Sequence, residues 1–198
     1  EGRRYNTEPN AFRFVVTPIV DDVRAITPGV SSGDGPSWTT GVQGGGIALT
    51  AAPLLGAWVG QQQPDALLLG PDEESMQWVS VAAAVHGLDH AVCHKLRHAD
   101  RAVSVTLPEI DLHGRAVVLL DDVASTGRTL VEAARGALIR GAITVDVAVT
   151  HALLVGEEMQ ELREAGVRHV WSTDSVPHPS NVVSIGPMLA RALSDIAA

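Results

Sequence analysis

The stretch Val117 to Leu130, VVLLDDVASTGRTL, constrains the fold more than any other part of the chain. Its four leading apolar residues, Val117 to Leu120, fit a strand buried on both faces of a parallel sheet. Asp121 and Asp122 then stand at the C-terminal edge of that strand, and the polar run after them, with Gly127, fits a turn that opens a helix. From Leu130 onward, Leu130, Ala133, Ala134, Ala137 and Leu138 recur at helical spacing. Ala124 to Thr129 would therefore present backbone N–H groups and the hydroxyls of Ser125, Thr126 and Thr129 at a helix N-terminus, a cradle for an anion. A phosphate in this loop, with Asp121 and Asp122 placed for diol hydroxyls or a hydrated metal, describes a sugar-phosphate site.

The rest of the chain repeats the strand–turn–helix rhythm. Leu54, Leu55, Trp58 and Val59 give a helical face that stops at QQQPD, and Ala66 to Leu69 reads as a short buried strand. Gly70 and Pro71 then turn the chain, and Asp72 can cap a helix carrying Met76, Val79 and Ala83. His90 to Lys95 fits a further strand running into a polar loop with Asp100 and Arg101. His90, His94 and His98 are four apart beside Cys93, a zinc-like spacing, but a strand ending in a loop suits the neighbouring alternation better than one helix face. Downstream, Ile143 to Val149 is a strand delivering Thr150 and His151. Met159, Leu162 and Ala165 mark a helix, His169 to Trp171 a short strand ending in Ser172-Thr173-Asp174, Val182 to Ile185 a possible last strand, and Pro187 to Ala198 a terminal helix. Strands alternating with helices predict an α/β fold, a doubly wound parallel sheet with ligands outside the C-terminal strand edges.

Two regions divide the chain. Residues 1–46 are punctuated by Pro9, Pro18, Pro28 and Pro36 and form an irregular N-terminal segment; residues 47–198 form the α/β domain. Within the first, AFRFVVTPIV fits a strand, Tyr5, Phe12 and Phe14 fit core or interface aromatics better than base-stacking platforms, and Gly44 to Gly46 fits a linker. A net charge of −9 argues against unspecific nucleic-acid binding, which needs clustered cations. No apolar run approaches the length of a membrane span. No apolar signal region follows Arg3 and Arg4, and the single Cys93 suits a reducing cytoplasm.

The DDVASTGRT run resembles the phosphoribosyl-binding signature of type I phosphoribosyltransferase-fold proteins. The flanking text, with GPDEES upstream, a Lys-x-Arg at Lys95 and Arg97, and THALLVGEEM and STDSVPHPSN downstream, resembles the ribose-phosphate diphosphokinase (PRPP synthetase) family. That resemblance, over roughly Ala51 to Ala198, implies transfer of the β,γ-diphosphoryl group of Mg-ATP to ribose 5-phosphate, giving PRPP and AMP. It implies that Asp121, Asp122, Ala124, Ser125, Thr126, Gly127, Arg128 and Thr129 bind ribose 5-phosphate, that Asp72 holds Mg²⁺, and that Lys95 and Arg97 stabilise charge on the transferred group. His151 and Asp174 would lie at the site's edge or serve as turn groups. It further implies a homo-oligomer using ATP and ribose 5-phosphate, with residues 1–46 a remnant of an incomplete N-terminal ATP-binding half. Ser125 stands where many relatives carry an acid. The alternative readings are a PRPP-consuming phosphoribosyltransferase and a non-catalytic subunit associated with PRPP synthetase.

Overall fold

The computed structural model describes residues 49–97 and 103–197. The expectations for residues 1–46, and for His98, Asp100 and Arg101, lie outside the described residues. Ala51–Ala198 form one compact unit. Its elements in chain order are α1 (Ala52–Gln62), β1 (Leu67–Gly70), α2 (Met76–Ala84), β2 (His90–Val92), β3 (His94–Arg97), β4 (Val103–Thr106), β5 (Ala116–Ala124), α3 (Arg128–Ile139), β6 (Thr144–Ala152), α4 (Glu157–Glu164), β7 (Val167–Thr173), β8 (Asn181–Val183) and α5 (Gly186–Ala197).

Six strands form a parallel sheet in the order β2-β1-β5-β6-β7-β8. Apolar runs make this possible because alternate residues of one strand feed opposite faces. Leu67, Leu69, Val117, Leu119, Val145, Val147 and Val149 join Leu130, Ala133, Ala134 and Ala137 of α3 and Leu162 of α4 in one core. Leu68, Val118, Leu120 and Ala148 join Leu55 and Val59 of α1 and Val79 and Ala82 of α2 in a second core on the other face. The sheet is therefore doubly wound, as its sequence predicts. From β1 the chain goes outward to β2 and then returns to β5 on the other flank of β1, so the order reverses between β1 and β5. Crevices of ligand-binding size open at such a reversal, beyond the C-terminal strand ends.

Three local expectations need correction. The strand expected over His90 to Lys95 breaks at Cys93: β2 pairs with β1, whereas β3 leaves the sheet and pairs antiparallel with β4, His94 opposite Thr106 and Arg97 opposite Val103. The break follows from the end of β1: the Cys93 N–H makes the last ladder bond, to the Gly70 carbonyl at 2.8 Å, and the partner strand stops there, ahead of Pro71. Alternation with helices also fails between β7 and β8, joined without a helix. Finally, the packed face of α1 keeps Leu55 and Val59 of the expected face but takes Ala52, Gly56 and Gly60 in place of Leu54 and Trp58, because two glycines let helix backbones approach closely. A Cβ on Gly56 would run into the Ala82 carbonyl of α2. Gly56→Ala is expected to lower unfolding stability by about 1–3 kcal/mol, the usual range for overpacking, read by urea denaturation.

No helix among the described residues is long and apolar enough to cross a membrane.

Candidate functional site

The site forms where β5 outruns its neighbour. The last registered β1–β5 pair is Leu69 with Leu119, and β1 ends at Gly70, while β5 continues to Ala124 beside β6. Asp121 and Asp122 thus lie near the C-terminal end of the strand, as expected, with Asp121 level with Val149. Ala124, expected in the loop, is instead the buried end of the strand. The loop proper is Ser125 to Gly127, and Arg128 and Thr129 already belong to the first turn of α3. Ser125, Thr126 and Arg128 are exposed, so both loop hydroxyls and the helix N-terminus are open to an anion.

Gly127 makes this loop possible. It caps α3 at φ +66°, in the left-handed region, and is buried. A Cβ there would lie 3.2 Å from the Cδ2 atom of Leu154, in the turn after β6. Backbone strain at such a φ costs a non-glycine residue about 1–2 kcal/mol. Gly127→Ala is therefore expected to destabilise the fold by about that much and to weaken sugar-phosphate binding, checked by thermal melts with and without ribose 5-phosphate.

Each aspartate takes a hydrogen bond from the next residue: the Asp122 N–H donates to Asp121 Oδ1 at 3.0 Å and the Val123 N–H to Asp122 Oδ1 at 2.7 Å. Burial, then the charge of Asp122, push the Asp121 carboxyl up to about 8, and the charge of Asp72 adds to the effect. Burial also raises Asp122, opposed by the Val123 N–H and by nearby His151. The charges of Asp122 and Asp72 thus both bear on Asp121 at the reversal of the sheet. That is the electrostatic mark of a site completed by a cation or by hydroxyl donors.

Asp72 is delivered by the turn after β1 and caps the 3₁₀ turn Glu73–Ser75, where the Ser75 hydroxyl donates to the Asp72 carbonyl at 2.6 Å. Among the described residues no group of three or more His, Cys, Asp or Glu side chains is arranged to hold a metal alone. The histidine run is accordingly divided: His90 opens β2, and His94 on β3 pairs its Nδ1 with Glu73 Oε1 at 2.8 Å. Burial pushes the Cys93 thiol up to about 12, so it is a neutral core group. Lys95 and Arg97 stand on β3, at register positions opposite Val105 and Val103.

His151 sits level with Val123 at the end of β6, its Nδ1 2.8 Å from the Ser175 hydroxyl. Asp174 serves a turn: its Oδ1 accepts the Ile185 N–H at 2.8 Å, and bonds from the Ser184 hydroxyl and that N–H hold its carboxyl below the usual range. Sequence reading missed Asp146, fully buried in β6, which accepts from Gln63, Arg168 and His169. Burial alone would raise this carboxyl, but those donors, Arg168 foremost, bring it below the usual range. It is a structural anchor, tying the end of α1 and the start of β7 to the sheet.

A six-stranded, doubly wound parallel sheet with a hydroxyl-rich loop after a central strand is the architecture that the resemblance to the type I phosphoribosyltransferase fold implied. Residues 104–188 match the family model described as a phosphoribosyl synthetase-associated domain. The ribose-phosphate pyrophosphokinase of Methanopyrus kandleri is 35% identical over 150 residues, 75% of this chain and 52% of the relative. That of Methanosarcina mazei is 36% identical over 149 residues, 74% and 50% respectively. Among solved structures, the phosphoribosylpyrophosphate synthetase of Mycobacterium smegmatis superposes with a TM-score of 0.64 at 27% identity, over 81% of this chain and 55% of that one. The resemblance to the ribose-phosphate diphosphokinase family read from the motif therefore holds. The chain spans about half the length of the curated relatives it matches.

Proposed function

We propose that the chain carries the ribose 5-phosphate half of a ribose-phosphate diphosphokinase, which moves the β,γ-diphosphoryl group of ATP to the anomeric hydroxyl of ribose 5-phosphate, with PRPP and AMP as products. The observation that carries this reading is the joining of the open hydroxyl loop to two raised carboxyls at one strand end. In it, backbone N–H groups and side chains from Ser125 to Thr129 hold the 5-phosphate, with Ala124 fixing the loop's entry. Asp121 and Asp122 accept hydrogen bonds from the ribose hydroxyls and so orient the anomeric oxygen. Lys95 and Arg97 neutralise charge on the group in flight. Catalysis then rests on positioning and charge stabilisation.

The donor set fits Mg²⁺, a hard cation that takes one or two carboxylates and fills the remaining positions with water and substrate phosphates. Asp72, whose charge reaches Asp121, is the proposed protein ligand. When bound, the ion would neutralise charge on the diphosphoryl group.

A homo-oligomer in the cytoplasm is part of the same reading. Val123, Leu153 and Val155 are large apolar side chains left exposed at the rim of the site, as surfaces awaiting a partner are. AMP formation from ATP and Mg²⁺, with and without ribose 5-phosphate, tests the reading. Sugar-dependent AMP supports diphosphoryl transfer, whereas PRPP consumption with diphosphate release would make the protein a phosphoribosyltransferase. Sugar-phosphate binding without AMP would reduce it to a binding module.

A further inference from the structure

Behind the phosphate loop lies a buried polar circuit that the transfer reaction does not use. The Nε2 atom of His178 is 2.8 Å from the Leu154 carbonyl, and a carbonyl only accepts, so Nε2 carries the proton. Nδ1 of the same ring is 2.6 Å from the Ser180 hydroxyl and 3.2 Å from the Ser180 N–H. In the neutral ring Nδ1 accepts both. The Ser180 hydroxyl, spent as a donor, takes the Ser172 hydroxyl at 2.7 Å, and Ser172 Oγ accepts from Asn181 Nδ2 at 2.8 Å. Asn181 Oδ1 closes the circuit by accepting the His178 N–H at 2.8 Å. Ser172 and Ser180 are both buried, so each partner is fixed and the ring has one tautomer and one orientation.

The far end of this circuit is the floor of the phosphate loop. Leu154 is fully buried, and its side chain lies against Gly127. The neighbouring Leu153 N–H donates to the Ala124 carbonyl at 2.8 Å, so the same short turn supports the loop at both ends. Resting on the sugar-phosphate reading above, we propose that His178 is a positioning residue for the phosphate loop: by holding the Leu154 carbonyl it sets the height of the floor on which Ser125 to Gly127 rest, and so the affinity for the 5-phosphate. A packed floor has no slack, and a small shift of Leu154 displaces donors that must stay within hydrogen-bond reach of the phosphate.

Two substitutions divide the ring's bonds. The amide N–H of His178→Gln reaches where Nε2 stands and keeps the bond to Leu154, whereas His178→Asn keeps an acceptor for Ser180 and lets Leu154 go. His178→Gln gives up both bonds at Nδ1 and His178→Asn only the one at Nε2, so a purely structural role would leave His178→Gln no better a binder than His178→Asn, a result that would overturn the proposal. Positioning separates them: by titration calorimetry with ribose 5-phosphate on the full chain, His178→Asn should bind on the order of tenfold more weakly than wild type, with His178→Gln close to wild type. Equal affinities of both variants and wild type would overturn the proposal. A wild-type chain that binds no ribose 5-phosphate would overturn the sugar-phosphate reading and this proposal with it. A readout that needs no variant is the His178 ring N–H in the NMR spectrum of the wild-type protein. It should shift when ribose 5-phosphate is added, and a signal that stays in place while the sugar phosphate binds would overturn the coupling.

Discussion

Asp121→Asn is expected to lose ribose 5-phosphate affinity by about 100-fold while the ligand-free protein becomes more heat-stable at pH 8. Both effects come from the same buried carboxyl. Hydrogen bonds to a charged acceptor are worth about 1.5–3 kcal/mol each, and tenfold in affinity is about 1.4 kcal/mol, so the loss is expected in full only above about pH 8, where the folded carboxyl carries its charge beside two ribose hydroxyls. The stability gain follows from proton linkage. The ordinary value for this carboxyl is 3.8, whereas in the fold burial and the charges of Asp122 and Asp72 push it up to about 8. Below about pH 4 the group is protonated in both the folded and the unfolded chain, and it costs nothing. As pH rises from there, the unfolded chain releases its proton while the folded chain retains it, so stability falls until the pH passes about 8. Asparagine removes that dependence, so the variant's melting temperature should be flatter across this window and higher by on the order of a few degrees at its upper end. Asp122→Asn should also weaken sugar binding, with a smaller gain in stability, because the Val123 N–H and His151 already oppose the rise of its carboxyl. Melting curves from pH 5 to 8, with and without ribose 5-phosphate, check both halves. An Asp121→Asn protein that binds the sugar as wild type does would remove this aspartate from the site.

The doubly wound sheet and the hydroxyl-rich loop before α3 were legible because they rest on local signals. Four apolar residues before two acids can hardly be anything but a buried strand, and Leu130 to Leu138 carry a helical period, so β5 and α3 follow from the text alone. What the text does not carry is pairing. Cys93 looks like any strand residue in sequence; β2 ends there because its partner β1 stops at Gly70, and β3 pairs with β4 instead. The length of β5 exceeds the sequence reading for a similar reason: Val123 and Ala124 look like part of the turn, but β6 continues alongside to Ala152 and holds them extended. Asp146 was invisible because its donors, Gln63, Arg168 and His169, come from two distant segments. The circuit through His178 was equally hidden, since STDSVPHPSN reads as a turn-rich loop until Leu154 is brought to it.

Lys95→Ala should slow diphosphoryl transfer by on the order of 100-fold or more while leaving the affinity for ribose 5-phosphate within about twofold of wild type. The separation follows from where β3 stands. It is part of a two-stranded ribbon outside the main sheet, whereas the sugar-phosphate loop and its two aspartates belong to β5 and α3. The ribbon is anchored at both feet. His94, one residue before Lys95, pairs with Glu73 in the turn that carries Asp72. Beyond β4, Arg140 at the end of α3 donates to the Pro108 carbonyl at 2.5 Å and to the Ile110 carbonyl at 2.7 Å. The ribbon is thus tied at one foot to the turn that carries Asp72 and at the other to the C-terminal end of α3. On the proposed reading a cation at Lys95 stabilises the group in flight and contributes most when charge is greatest, in the transition state. Removing it should therefore lower kcat and leave the KM for the sugar phosphate nearly unchanged. Lys95→Arg, which keeps the charge but alters its reach, should fall between alanine and wild type. If Lys95→Ala turns over at the wild-type rate, Lys95 is a solvated surface residue, and the positive charge for the transfer must come from another part of the protein.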